Sequence, residues 1–112
     1  MSLAVWVAMI KNFRSPALER AYKGDARRVN PNLATRIRNI LRTLNRADAL
    51  EDIEKLTGFH ALRQNRAGEY AVTVTRNWRI TFTVGVETSI DPNTKEQQEE
   101  FHVYDVDYED YH

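Results

Sequence analysis

The sequence predicts an α+β domain in which two N-terminal helices pack on one face of an antiparallel β-sheet. Two helix-start signals, Ser15-Pro16 and Asn30-Pro31, precede apolar residues at helical spacing. From Phe59 onward the apolar period changes to simple alternation, the pattern of half-buried strands. No repeat, low-complexity stretch or linker interrupts the 112 residues, so a single domain, 1–112, is expected.

The elements follow in order. Residues 3–10 form the longest apolar run, eight residues, and read as a leading strand. Ser15 is the N-cap of the first helix and Pro16 its first residue, where a missing N–H costs nothing. Leu18, Ala21 and Tyr22 give that helix an apolar side, and Gly24 stops it. Asn30-Pro31 starts a longer helix with Leu33, Ile37, Ile40, Leu41 and Leu44 facing the core. A third helical turn is expected over residues 50–53. Tyr70, Val72 and Val74 then alternate with Ala71, Thr73 and Thr75, and Trp78, Ile80, Phe82 and Val84 alternate with Arg79, Thr81 and Thr83. Arg76-Asn77 joins these strands tightly, because Asn tolerates positive φ. Residues 87–100 are polar, carry Asp91-Pro92-Asn93 turn chemistry and read as a long hairpin tip; residues 101–108 return as the last strand.

Composition excludes some classes. There is no cysteine, so disulfides and thiolate metal sites are out, and a cytoplasmic location fits. The apolar run of residues 3–10 is far short of the roughly 18 residues a membrane span needs. Net charge is zero, yet residues 1–80 carry 15 Lys+Arg against 7 Asp+Glu, and residues 81–112 carry 1 against 9. Such a division suits a basic surface that meets a polyanion, and Arg, 12 of the 16 cations, matches phosphate with its planar fork.

Four features carry possible chemistry. Arg79 projects from mid-strand on the side opposite Trp78, Ile80 and Phe82, where it needs a ligand or a counter-charge such as Asp105 or Asp107. His60 precedes the hairpin, with Arg63 and Arg66 just beyond it. The chain closes on Asp110-Tyr111-His112, a second imidazole beside a phenol and a carboxyl. Arg38, Arg42 and Arg46 form a basic stripe on the long helix, either an RNA-facing surface or ordinary solvated arginines. Imidazoles titrate near neutrality and can divide base and acid work, while arginines hold phosphate and stabilise charge on it. These parts suffice to cleave RNA. No metal or other cofactor is called for, since there is no HExxH, no clustered carboxylate motif and no Gly-rich phosphate loop.

Asn77-Trp78-Arg79-Ile80-Thr81-Phe82 together with the closing Tyr108-Glu109-Asp110-Tyr111-His112 resembles the HigB-type toxins of the RelE/ParE superfamily. Met9-Ile10-Lys11-Asn12-Phe13 is similar to the start of such proteins, and residues 56–68 resemble their central leucine-histidine-leucine-basic segment. The resemblance implies a RelE-like fold and the toxin of a type II toxin–antitoxin system. It further implies an endoribonuclease that cuts messenger RNA in the ribosomal A site, neutralised by a HigA-like helix-turn-helix antitoxin. Operator DNA would be met only through the antitoxin complex. By position, His60, Arg79, Asp110, Tyr111 and His112 match the catalytic group, and Arg63 a basic position often held by lysine. Three features depart from the pattern: arginine at position 63, a longer acidic tip, and residues 1–8, which extend past Met9 as a possible alternative start. The rival readings are a ParE-like gyrase inhibitor, which needs no imidazole pair, and an inactive member that only binds antitoxin or RNA.

Overall fold

The computed structural model describes residues 9–110. Among them α1 is Pro16–Tyr22, α2 Ala34–Arg46 and α3 Leu50–Glu54; β1 is Phe59–Ala61, β2 Glu69–Thr73, β3 Trp78–Ile90 and β4 Gln97–Asp110. The four strands form one antiparallel sheet in the order β1-β2-β3-β4. The fold is the expected α+β arrangement, with helices on one face of an antiparallel sheet.

The start signals act as their chemistry dictates. Ser15 Oγ accepts the Leu18 N–H at 3.2 Å, Pro16 opens α1, and Gly24 at φ +106° turns the chain away. At the second signal, the Asn30 side chain accepts the Asn32 N–H at 2.9 Å. That cap serves one 3-10 turn, Pro31–Leu33, and α2 begins only at Ala34. Ile37, Ile40, Leu41 and Leu44 are buried along one face of α2, with Leu33 half-buried at its rim. They meet Val72, Ile80, Phe82, Val103 and Val106 from the sheet. α3 contributes Ile53, and Arg36 ties α2 to the sheet by donating to the carbonyls of Thr57 (3.1 Å) and Thr73 (2.6 Å).

Two details differ from the sequence reading, and a third falls outside the described residues. The β2–β3 connection is set by Thr75, whose Oγ1 accepts the N–H groups of Asn77 (3.3 Å) and Trp78 (3.2 Å); Asn77 does not adopt positive φ. The polar stretch 87–100 is paired strand over most of its length. Glu87 opposes Glu100 and the ladder runs to Ile90 opposite Gln97, so the turn itself is only residues 91–96. Within it Asp91 Oδ1 accepts the N–H groups of Asn93 (2.8 Å) and Thr94 (3.4 Å). A two-stranded ribbon that is solvated on both faces carries no alternation signal; its register is inherited from Val84 opposite Val103 and Val86 opposite Phe101. The leading strand expected over residues 3–10 lies almost wholly outside the described residues. What is described is its end: Met9 to Asn12 run parallel to β4, with Ile10 beside Val103 and Phe13 beside Val106.

The β3–β4 ladder contains one irregularity. Thr81 pairs with Asp107 but Thr83 pairs with Tyr104, so β4 carries an extra residue, and Asp105 sits at φ 56°. Asn12 fastens this bulge by accepting the Asp105 N–H at 3.0 Å and donating to its carboxylate at 2.8 Å.

Gly58, at φ +86° between α3 and β1, lies where an added Cβ would stand 3.0 Å from the Thr73 Cβ and 3.2 Å from its nitrogen. Gly68, at φ +97°, has open space there. Alanine at either site bears the left-handed backbone cost of roughly 1–2 kcal/mol. Gly58→Ala is expected to lose at least about 1 kcal/mol more than Gly68→Ala, because it also crowds the Thr73 backbone. Urea unfolding of both variants checks this, and equal losses would show that the close approach is absent.

Candidate active site

Strand registers place the sequence-predicted residues. One row across the sheet aligns His60, Ala71, Thr81 and Asp107; the next aligns Thr73, Arg79 and Glu109. Residues two apart along a strand share a face. His60, Arg79, Asp107 and Glu109 therefore project from the side opposite Val72, Ile80 and Phe82, which the helices cover. Small, buried Ala71 and Thr81 lie between His60 and Asp107 in their row. Strand spacing and rise put the His60 and Arg79 backbones on the order of 12 Å apart, a span suited to different parts of one phosphodiester segment.

Arg79 is the most enclosed cation of this face, its side chain 14% exposed. Its counter-charge is Glu109, directly across the ladder, rather than Asp105 or Asp107. Glu109 Oε1 accepts from Arg79 Nη2 at 2.6 Å and Nε at 3.2 Å, and from Arg66 Nη1 at 2.7 Å. Arg66, in the 3-10 turn Gln64–Arg66, also grips Glu69 through Nε and Nη2, both at 3.0 Å. The result is a chain of two guanidiniums and two carboxylates. The bond from Arg66, reinforced by Arg79 against the opposing effect of burial, holds the Glu109 carboxyl down at about 2. Glu69 is likewise lowered by its bond from Arg66, and the Arg66 guanidinium is raised by Glu69 and then Glu109.

His60 lies at the edge of the same face. Its Nδ1 is 3.0 Å from the Gly58 carbonyl oxygen. A carbonyl only accepts, so Nδ1 carries a hydrogen, and the ring's acceptor lone pair, where it has one, is on Nε2. That is the tautomer a proton acceptor requires. Arg63 is exposed at the start of the following 3-10 turn. Asp110 closes β4 opposite Trp78. Tyr111 and His112 lie outside the described residues. The helix stripe is not brought to this face. Arg42 and Arg46 are exposed on α2, in the layer beyond the sheet, and Arg38 is half-buried there with its Nε enclosed and without a hydrogen bond. Among the described residues no three His, Asp or Glu side chains gather as metal ligands.

The family model for RelE-like HigB toxins of type II toxin–antitoxin systems matches residues 11–93. The chain belongs to the HigB-like toxin family. Membership in a type II system implies an antitoxin partner for this toxin. The matched span holds His60, Arg63, Arg66 and Arg79 and stops before the closing Asp110-Tyr111-His112. No curated protein matches the chain. Among the described residues of the toxin, no helix is long and apolar enough to cross a membrane.

Sequence reasoning missed Glu109 and Glu69 as partners of the cluster. Parity alone puts Asp107 and Glu109 on the Arg79 face; only the register, set by the bulge, selects Glu109. It also gave no role to His102, which is fully buried near the ribbon, with carboxylate oxygens of Glu87 and Glu100 3.4 and 3.2 Å from Nε2 but off its hydrogen-bonding direction.

Because Glu109 releases its proton more readily folded than unfolded, the stability it contributes is complete above its ordinary value of 4.5 and is lost as pH falls through about 2. Glu109→Gln is expected to destabilise the toxin at neutral pH by on the order of 1–3 kcal/mol and to flatten the acid limb of its stability curve. Urea midpoints measured over a pH series test this; an acid limb identical to wild type would show that the arginines do not hold this carboxylate.

Proposed function

We propose that this toxin is a ribosome-dependent endoribonuclease that cuts translated messenger RNA in the ribosomal A site. The observation that carries the reading is the shared face: an imidazole whose Nδ1 is engaged by the Gly58 carbonyl, on the same side of the sheet as the Arg79 and Arg66 guanidiniums. Cleavage requires removal of the 2′-hydroxyl proton, attack of that oxygen on the adjacent phosphorus, and protonation of the departing 5′-oxygen. The products are a 2′,3′-cyclic phosphate and a free 5′-hydroxyl, with no bound cofactor consumed.

In this scheme Arg79 holds the scissile phosphate and stabilises the charge that grows on it. Arg63 and Arg66 contact flanking phosphates. His112 and Asp110 exchange protons with the reacting oxygens, His60 positions the substrate or shares that proton work, and Tyr111 stacks on a base. A HigA-like helix-turn-helix antitoxin neutralises the toxin, and the pair meets operator DNA only as a complex. The site of action is the cytoplasm, where translated message is found.

Arg79→Ala and removal of His112 are each expected to lower message cleavage on ribosomes by at least about 100-fold, with cooperative unfolding retained. Primer extension on translated message reads the cuts. Undiminished cutting by both variants would place the site elsewhere, and intact message alongside inhibited gyrase would favour the ParE-like reading instead.

A further inference from the structure

The sheet end that carries Arg79 on one face carries a groove on the other. Trp78 and Tyr108 form its wall, stacked on each other with ring centroids 4.6 Å apart and planes inclined by 28°. The segment between α1 and α2 closes the other side with Arg28, Val29 and Asn30, and Thr75 lies at the turn end. The cavity measures about 330 Å³. Arg28 also lines a neighbouring hollow of about 350 Å³, together with Arg20, Asp25 and Arg27.

The cations differ in their state. Arg27 is held by Asp25, through Nε and Nη2 at 2.9 Å each. Asp25 also feels the charge of Arg20, whereas the exposed Arg28 side chain makes no hydrogen bond or ion pair with the described residues. The Tyr108 hydroxyl likewise has no partner among them. An aromatic wall next to the uncompensated guanidinium of Arg28 is the chemistry that takes an unpaired base together with its phosphate. A duplex presents no free base face, which restricts the ligand to single strands.

We propose that this groove is a single-stranded RNA subsite, with a base lying against the Trp78–Tyr108 wall and its phosphate on Arg28. The inference rests on the nuclease reading for the choice of RNA, and it names a second part of the substrate that reading leaves unplaced. Trp78 and Arg79 are consecutive, so their side chains leave β3 on opposite faces. A strand anchored in the groove passes the β2–β3 turn to reach the Arg79 face. The nucleotide in the groove is thus a neighbour of the scissile one, and it contributes context preference rather than bond cleavage.

The test uses the full chain with Trp6→Phe, which leaves Trp78 as its one indole. A short 2′-O-methyl oligoribonucleotide, which cannot be cut, is titrated while Trp78 fluorescence is followed. Saturable quenching is expected. Arg28→Ala should weaken it and lower the slope of log affinity against log salt by about 1, the signature of one lost phosphate contact. In the ribosome assay Arg28→Ala should raise the toxin concentration needed for half-maximal cutting and redistribute the cut sites. Absence of quenching, quenching indifferent to Arg28→Ala, or equal quenching by a polyglutamate peptide would each overturn the proposal, the last pointing to an acidic protein partner. Arg79→Ala separates the two readings: it should abolish cutting and keep the quenching. Loss of both in that variant would show that the groove is no independent subsite. If wild-type toxin cuts no message yet quenches with the stated salt response, the nuclease reading falls and the subsite stands.

Discussion

The arrangement depends on one extra residue in β4. A strand alternates strictly, so a one-residue slip exchanges its two faces. Without the insertion at Asp105, Val103 and Val106 would point to opposite sides of the sheet. With it both are fully buried against the helices, and the strand resumes in the phase that sends Tyr108 inward and Asp107 and Glu109 outward. The same insertion is why Glu109, and not a neighbour, stands across from Arg79. Core and candidate site are fixed by a single register. Asn12 holds the bulge with both ends of its side-chain amide, so the N-terminal segment of the described chain supports the geometry at the far end of β4.

The second determinant is electrostatic. Glu109 accepts three hydrogen bonds at one oxygen, from two arginines that arrive from different elements, the 3-10 turn and β3. Both guanidiniums are largely withdrawn from water, and each would carry a desolvation cost if left alone. The shared carboxylate offsets that cost and restricts their rotamers. Arg66 is doubly anchored through Glu69, so the turn after β1 is tied to the sheet by side chains as well as by backbone. The net worth of such a cluster to stability is modest; its clearer effect is to hold two guanidiniums in fixed directions before any ligand arrives.

Much of this was legible in the residues. Ser15-Pro16, the α2 stripe from Ile37 to Leu44 and the alternation through Phe82 each report a local rule, and each formed as read. The face of Arg79 followed from parity alone. What could not be read was anything that depended on register across a long connection. The ribbon beyond Val84 is exposed on both faces, Val86 and Ile90 included, so no buried side marks it as strand, and the bulge is a single residue whose presence no propensity signals. The Arg79 partner was misassigned to Asp105 or Asp107 for that reason. The α2 arginines illustrate the opposite failure: their stripe was plain in sequence, but only the layer order shows that a sheet stands between them and Arg79. Arg28 escaped attention because it sits in a connection with no pattern, and its meaning arises from Trp78 and Tyr108, which are distant in sequence.

Charge balance bears on how a nuclease of the proposed kind would select its substrate. Within the cluster of described residues, two carboxylates neutralise two guanidiniums, so no large field from these four groups draws a phosphate in. A phosphate at Arg79 must share donors that Glu109 already engages, and the low proton affinity of Glu109 means that it stays an anionic competitor at any physiological pH. Free RNA would face that competition with few other contacts. A message held in place by a larger body meets it with its translational and rotational entropy already lost, and the exchange at Arg79 becomes intramolecular. Dependence on the ribosome is then a consequence of a site that is preorganised yet internally compensated. Contacts on the opposite face, at Arg28 and the aromatic wall, would add to the same end by fixing the strand on both sides of the bond to be cut.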